Sequence, residues 1–232
     1  MRGFTRVRGL YVASLDAVER RALAGVVSDT AELLGVRLAE PVVPTSGPGD
    51  DPLAYLDWPS DDPQVPTDPA VARLLPPASR EDDALAAEFR RLTESDLRVR
   101  KIDNLRIVWS ALRGPAGPLP VARPAAPRWA AALSDVRLVI AARLGIETDD
   151  DAERVHDLAL GEEAPAESGA DTDVSSRAET DAETDADADA GSTRAVDEVR
   201  AAMATLYTAL TWLQDSLVAL LLEDTPSSGR AH

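Results

Sequence analysis

The C-terminal part of the chain carries the pattern that most restricts its fold. Val196, Val199, Met203, Leu206, Leu210, Leu213, Leu217 and Leu220 recur at steps of three and four, which places them along one side of a single helix. Such a stripe is covered either by other elements of the same chain or by a second copy. A DNA-binding zipper would place a basic region directly before it. Here residues 178–191 read AETDAETDADADAG, and carboxylates repel phosphate. The flanks hold Arg200, Ala202, Ala209, Gln214 and Ser216, poor material for a charged seam, while Tyr207 and Leu221 widen the stripe. The pattern therefore predicts a core helix of a bundle, with a homodimer through the C-terminal helix as the other way to cover it.

Charge is distributed unevenly. Residues 1–146 hold 19 basic and 19 acidic side chains, whereas residues 147–190 hold 2 and 17. The net charge of −17 thus belongs to one tract rather than to a folded surface. Residues 161–193 contain no aromatic residue and a single branched aliphatic, Val174, so little burial is available to offset ordering entropy. The expected organisation is a helical domain begun by residues 1–160, a disordered acidic linker over 161–193, a helix over 194–224 packing back on the same domain, and a disordered tail over 225–232. Cysteine is absent, which removes disulfides, thiolate metal sites and thiol nucleophiles together. The stretch 206–222 is apolar but only 17 residues long and includes Gln214 and Asp215; a span needs about 20 apolar residues. No signal-peptide core follows the N-terminal arginines. A soluble, cytoplasmic protein is expected.

Upstream, FTRVRGLYVAS alternates loosely, as a strand or hairpin does. Asp16 followed by Glu19 suggests a capping box opening a helix that stops near Gly35. Residues 41–67 are rich in Pro and Asp and predict a loop with one short turn around Leu53 to Leu56. A short helix follows over 68–76. A long one then runs from a Ser79 cap to Gly114, and a third places Trp129, Leu133, Val136, Ile140 and Leu144 on one face before Gly145. The fold class is mostly α: a helical bundle with a small N-terminal β element and a disordered acidic insertion before the last helix.

The long helix contains EFRRLTESDLRVRK, residues 88–101. At about 100° per residue, Arg90, Arg91, Glu94, Arg98 and Lys101 share one sector, and Leu85, Phe89, Leu92 and Val99 the opposite one. Asp96 and Arg100 fall in or beside the apolar sector. Glu94 with Arg98 and Asp96 with Arg100 have favourable spacing for ion pairs, while Arg91 and Lys101 have no obvious local partner. Beyond Ile102 the stripe moves: Leu105, Val108, Trp109 and Leu112 occupy the sector that was basic. Either the helix bends or its halves bury opposite faces. One part is expected to pack in the bundle, with the Arg face of the other near a surface open to a partner. Arg90, Arg91, Arg98, Arg100 and Lys101 are the candidates for contacting nucleic acid or a protein partner; a solvated, internally paired face is the alternative.

Other constellations carry less. ETDDDAERVHD, residues 147–157, gathers Asp151, Glu153, His156 and Asp157, but a solvated charge run explains it without a metal. The second histidine, His232, ends the chain, so no serine triad assembles, and no glycine-rich phosphate loop follows a strand. The Asp-rich stretch 50–62 lacks the glycine and glutamate of a calcium loop. Residues 68–92 make a poor helix-turn-helix, because Glu81, Asp82 and Asp83 would meet phosphate. No catalytic residue, metal site or cofactor is assigned.

The phrases DDPLAYL (50–56), DPAVARLLP (68–76), EFRRLTESDLRVRKIDNLRIVWSAL (88–112), WAAALSDVRLVIAARLGI (129–146) and YTALTWLQDSLVALL (207–221), in that order, resemble the actinobacterial family of the oxidative-stress regulator AosR, formerly catalogued as a domain of unknown function. The resemblance implies a cytosolic, non-enzymatic transcriptional regulator of oxidant-response genes, working with a sigma factor, RNA polymerase and promoter DNA. Family genes sit beside those for a protease adaptor and cysteine biosynthesis. The alternative function is accordingly a protein-interaction adaptor in regulated proteolysis or sulfur metabolism that never touches DNA. Redox sensing in the family is attributed to a disulfide, which a chain without cysteine cannot form.

Overall fold

The computed structural model describes residues 1–38, 65–160 and 183–224, the last with side chains from Arg194 onward. Strand β1 (Arg2–Val7) turns back into β2 (Leu10–Leu15) through Arg8 and Gly9, both at positive φ; such two-residue turns match the twist of a hairpin. A third strand, β3 (Gly117–Ala122), pairs antiparallel with β2 from Leu10↔Ala122 to Leu15↔Gly117. The sheet order is β1-β2-β3. Proline has no N–H for a ladder, so two prolines are tolerated because β3 is an edge. Leu119 and Val121 point into the core and Pro118 and Pro120 outward.

The helices are α1 (Ala17–Leu33), α2 (Pro69–Leu74), α3 (Asp83–Leu112), α4 (Ala126–Leu144), α5 (Asp149–Leu160) and α6 (Glu183–Asp224). The chain is therefore mostly helical with a small sheet formed around the N-terminal hairpin. The Asp16–Glu19 capping box is present, each side chain accepting from the other residue's backbone N–H at 2.8 Å. Helix α4 ends on Gly145 in the left-handed conformation, φ 73, which costs glycine no Cβ clash. All five of its predicted face residues, Trp129, Leu133, Val136, Ile140 and Leu144, are buried.

Helix α6 closes the structure. Leu210, Leu213 and Leu217 are completely buried where α6 packs on α4, α5 and β1. The outer edge of β1 is covered by this helix: the Phe4 N–H donates to Ser216 Oγ at 2.8 Å, satisfying an edge donor that water or another strand would otherwise take. The approach is close enough that a Cβ on Gly3 would lie 2.8 Å from Ser216 Oγ and 2.9 Å from Ser216 Cβ. Gln214, polar within the apolar stretch, is buried but satisfied. It accepts from Arg137 Nη1 at 2.7 Å and donates to Ser134 Oγ at 2.6 Å. At its C-terminal end Asp224 accepts from Arg123 at 2.8 Å and from Arg6 and the Tyr11 hydroxyl. The Tyr11 hydrogen bond, aided by the two guanidiniums, holds the Asp224 carboxyl below the usual range.

Several elements depart from the sequence reading. β3 and α5 were not foreseen. The long helix starts three residues later than a Ser79 cap would place it: Asp82 caps it by accepting from Leu85 N, while Ser79 Oγ accepts from Glu81 N and Asp82 N in the preceding turn. Helix α6 begins at Glu183, inside the span expected to be an unstructured linker; the alternating alanines there are the best helix formers. Residues 161–182, the turn around Leu53 to Leu56 and the tail 225–232 lie outside the described residues. The ladder is also graded: Val196 and Val199 are exposed, Met203 and Leu206 half-buried. By length and composition, Arg194–Asp224 could cross a membrane, but the buried leucines of its second half are committed to α4 and β1.

Helix α5 opens with a reciprocal cap. Asp151 N donates to Thr148 Oγ1, and the Asp151 carboxylate accepts from the N–H groups of Glu147 and Thr148 and from the Thr148 hydroxyl. These bonds, led by that from Glu147, lower the Asp151 pKa to about 2. A depressed carboxyl contributes stability above its unfolded pKa of about 3.9 and loses it as pH falls. Protection factors of the α5 amides, corrected for intrinsic exchange, are expected to fall between about pH 4 and pH 2, ahead of those in α4, and Asp151→Ala to remove that pH step. Two glycines give opposite expectations. Gly3→Ala forces β1 from α6 and costs about 1–3 kcal/mol. Gly25→Ala, inside α1 with nothing within 4 Å of the added Cβ, gains about 0.5–1 kcal/mol. Chemical denaturation of the two variants checks both.

Candidate interaction face on helix α3

Helix α3 turns one face to the body along its whole length. In its second half that face is apolar, and Ile102, Leu105, Val108 and Leu112 are buried against α1 and α4. In its first half the same face carries the charges. Arg90 and Glu94 side chains retain only 10% and 13% of their exposure, with Arg90 Nε 3.5 Å from Glu94 Oε2. Arg98 reaches Glu94 Oε1 at 2.8 Å and donates to the Leu34 carbonyl at 3.2 Å. Lys101 meets Asp135 of α4 at 2.5 Å.

The consequence is an inversion. The apolar sector of the first half faces outward: Leu85 is 55% exposed, Phe89 51%, Leu92 58% and Val99 57%. The sequence reading expected the arginines outside and the apolar residues inside. The stripe does shift near Ile102 as the periodicity shows, but the two halves do not bury opposite faces. One face is buried throughout, and its chemistry changes from ionic to apolar along the helix. An ionic contact is tolerated inside because each charge finds a partner.

The five candidate cations are thus divided. Arg90, Arg98 and Lys101 point inward and are ion-paired. Arg91, for which no local partner was evident, pairs with Glu88 one turn earlier at 2.7 Å, with both side chains about half exposed. The partner of Lys101 lies 34 residues away on another helix, beyond the reach of local spacing rules. Arg100 is exposed, beside Asp96 and Val99, and the expected Asp96–Arg100 ion pair does not form among the described residues.

Burial raises the Asp135 pKa above the usual carboxyl range, and the hydrogen bond and charge of Lys101 only partly oppose it. A raised carboxyl pKa means that this group favours folding at acid pH and loses that contribution as pH rises through its folded pKa. Lys101 is what keeps the neutral-pH cost small. Between α3 and the segment after α2 runs a groove of about 250 Å³, floored by Arg90, Glu94 and Leu97 and walled by Leu75, Pro77 and Phe89. Glu94 Oε2 is buried there with no hydrogen-bond donor among the described residues.

Two arginines bind the antiparallel helices α1 and α3 end to end. Arg98 of α3 serves the C-terminal carbonyl of α1 at Leu34. Arg20 of α1, itself only 5% exposed, donates to the Ala111 carbonyl near the end of α3 and to Gly117 O of β3 at 2.8 Å. Cations at helix C-termini answer both the unpaired carbonyls and the negative end of the dipole. Neither helix has a basic residue in its own last turn, so each takes one from the other. The sequence reading did not single out Arg20, because the acceptors it serves lie about 90 residues or more along the chain.

Among the described residues no group of three or more His, Cys, Asp or Glu stands together to hold a metal. The carboxylates and His156 of residues 147–157 spread along α5, with Asp151 committed to the cap and His156 exposed. These features define a helical protein with a small antiparallel sheet, whose one unusual face is an outward apolar stripe over an inward ionic layer. The chain belongs to the family described as a domain of unknown function, DUF2017, whose model matches residues 1–221. No curated protein and no solved structure matches it.

Lys101→Met leaves Asp135 buried without its counter-ion and is expected to destabilise the fold by about 2–4 kcal/mol. Adding Asp135→Leu to it removes the orphaned charge and should restore most of that loss. A double-mutant cycle by denaturant unfolding measures the coupling; additive effects would refute the pairing.

Proposed function

We propose that this chain is a non-enzymatic, cytoplasmic regulator of oxidative-stress genes that acts through protein contact, with a sigma factor or RNA polymerase as partner class. The transcriptional part rests on the resemblance to the AosR family. The mode of action rests on one observation: Arg90, Arg91, Arg98 and Lys101 are already engaged by Glu94, Glu88 and Asp135. A cation held by a carboxylate releases few counterions on meeting phosphate, so it adds little to DNA affinity. The even balance of charge over residues 1–146 supports the same reading, because dedicated DNA binders carry a basic face. Promoter DNA is reached through the polymerase in this scheme. Without cysteine, the oxidant signal arrives through the partner rather than through a thiol of this chain.

The adaptor of proteolysis or sulfur metabolism is the second reading, favoured by the same inward arginines. Purified chain is tested against labelled promoter DNA by anisotropy at 50 and 200 mM salt, and against RNA polymerase carrying a stress sigma factor by sedimentation. Binding to the holoenzyme, with DNA alone bound only at the nonspecific level, is the expected result. Tight binding to free DNA that drops by about 10³-fold between those salts overturns contact through protein; silence toward both moves the assignment to the adaptor.

A further inference from the structure

We propose that the outward stripe of α3 is the seam of an antiparallel homodimer, in which Leu85, Phe89, Leu92 and Val99 of one copy pack on those of a second. The inference is independent of the regulatory reading above. Leu85, Phe89, Leu92, Asp96 and Val99 step by four, three, four and three, the spacing of a helix-pairing seam, and the four apolar members are each more than half exposed. Leu85 to Val99 spans four turns, and beyond Val99 the helix faces become those of the chain's own core. The seam therefore begins and ends within the part of α3 whose inner face is ionic.

Charge on this surface selects a second copy and its direction. The start of the stripe is acidic, with Glu81, Asp82 and Asp83 exposed, and its far end presents exposed Arg100, which has no ion-pair partner among the described residues. A parallel pair would set acids against acids and Arg100 against Arg100. An antiparallel pair sets each acidic end against the partner's Arg100 and also opposes the helix dipoles favourably. A surface that complements itself after a two-fold rotation is what an isologous dimer requires. Asp96, polar within the seam, lowers affinity while fixing register, and a four-turn contact lies at the small end of stable interfaces. A reversible dimer in the micromolar range is the expected strength.

Sedimentation equilibrium of the full chain tests this. Wild-type chain should show a concentration-dependent dimer, and Phe89→Glu and Leu92→Glu should each weaken it by about tenfold or more while leaving the thermal midpoint unchanged, since both side chains are exposed in the monomer. Asp96→Leu should tighten it. Direction is read from a mixture: Arg100→Glu chains and Glu81→Arg/Asp83→Arg chains should each dimerise poorly alone and pair with one another when mixed. A chain that stays monomeric to millimolar concentration overturns the proposal and leaves the face to another protein. So does a dimer that survives Leu92→Glu but dissociates on Val199→Glu, which would place the seam on α6, and a mixture showing no preference, which would exclude the antiparallel arrangement.

Discussion

The packing of Leu210, Leu213 and Leu217 onto α4 and β1 is the contact on which the remainder of the structure depends. A small three-stranded sheet needs its hydrophobic face covered to be stable in water, and here one edge carries prolines and the other would be bare. Helix α6 covers the bare edge, supplies a hydroxyl to its free N–H, and buries the sheet's inner residues together with α4. Because Gly3 has no side chain, Ser216 and Trp212 of the helix pack directly on the strand, and the interface is tight enough that one methyl group would push them apart. The Arg137–Gln214–Ser134 hydrogen bonds lie in the same interface and restrict how α6 can slide along α4.

A second layer of specificity is ionic. Arg20 and Arg98 exchange C-terminal caps between antiparallel α1 and α3, and Lys101 ties α3 to Asp135 of α4. Buried charges of this kind contribute modestly to net stability, since desolvation offsets much of the attraction. Their larger effect is on orientation. With Arg90, Glu94, Arg98 and Lys101 ion-paired only on the inner side, the first half of α3 cannot rotate its apolar stripe inward without stranding four charges. The exposed Leu85, Phe89, Leu92 and Val99 are thus a consequence of the ionic layer beneath them.

Much of the architecture was legible in the chain. The Asp16–Glu19 box, the Gly145 stop, the five-residue face of α4 and the helical class follow from local rules that act within a turn. The strand β3 was obscured by its two prolines, which argue against a strand unless it is known to lie on an edge, and edges are defined only by the assembled sheet. Helix α5 was hidden by its carboxylates, which read as a solvated run until Thr148 and Asp151 are seen to cap each other. The candidate cations were found by composition, but their orientation was not. Helical spacing separates two faces without saying which is turned inward, and the usual preference for the apolar face fails here.

The sequence alone determined the periodic leucine ladder, the chain's division of charge, the lack of any thiol, and the shift of the apolar stripe near Ile102. These are properties of residue order and need no partner. Only the tertiary structure decided that the ladder is buried at Leu210, Leu213 and Leu217 and exposed at Val196 and Val199, and that Arg90, Arg98 and Lys101 lie beneath α3 while Arg91 and Arg100 stay on its outside. The reason is that burial is a relation between elements distant in sequence. Asp135 and Leu34, which hold Lys101 and Arg98, lie far along the chain from α3's first half, and no local pattern announces them.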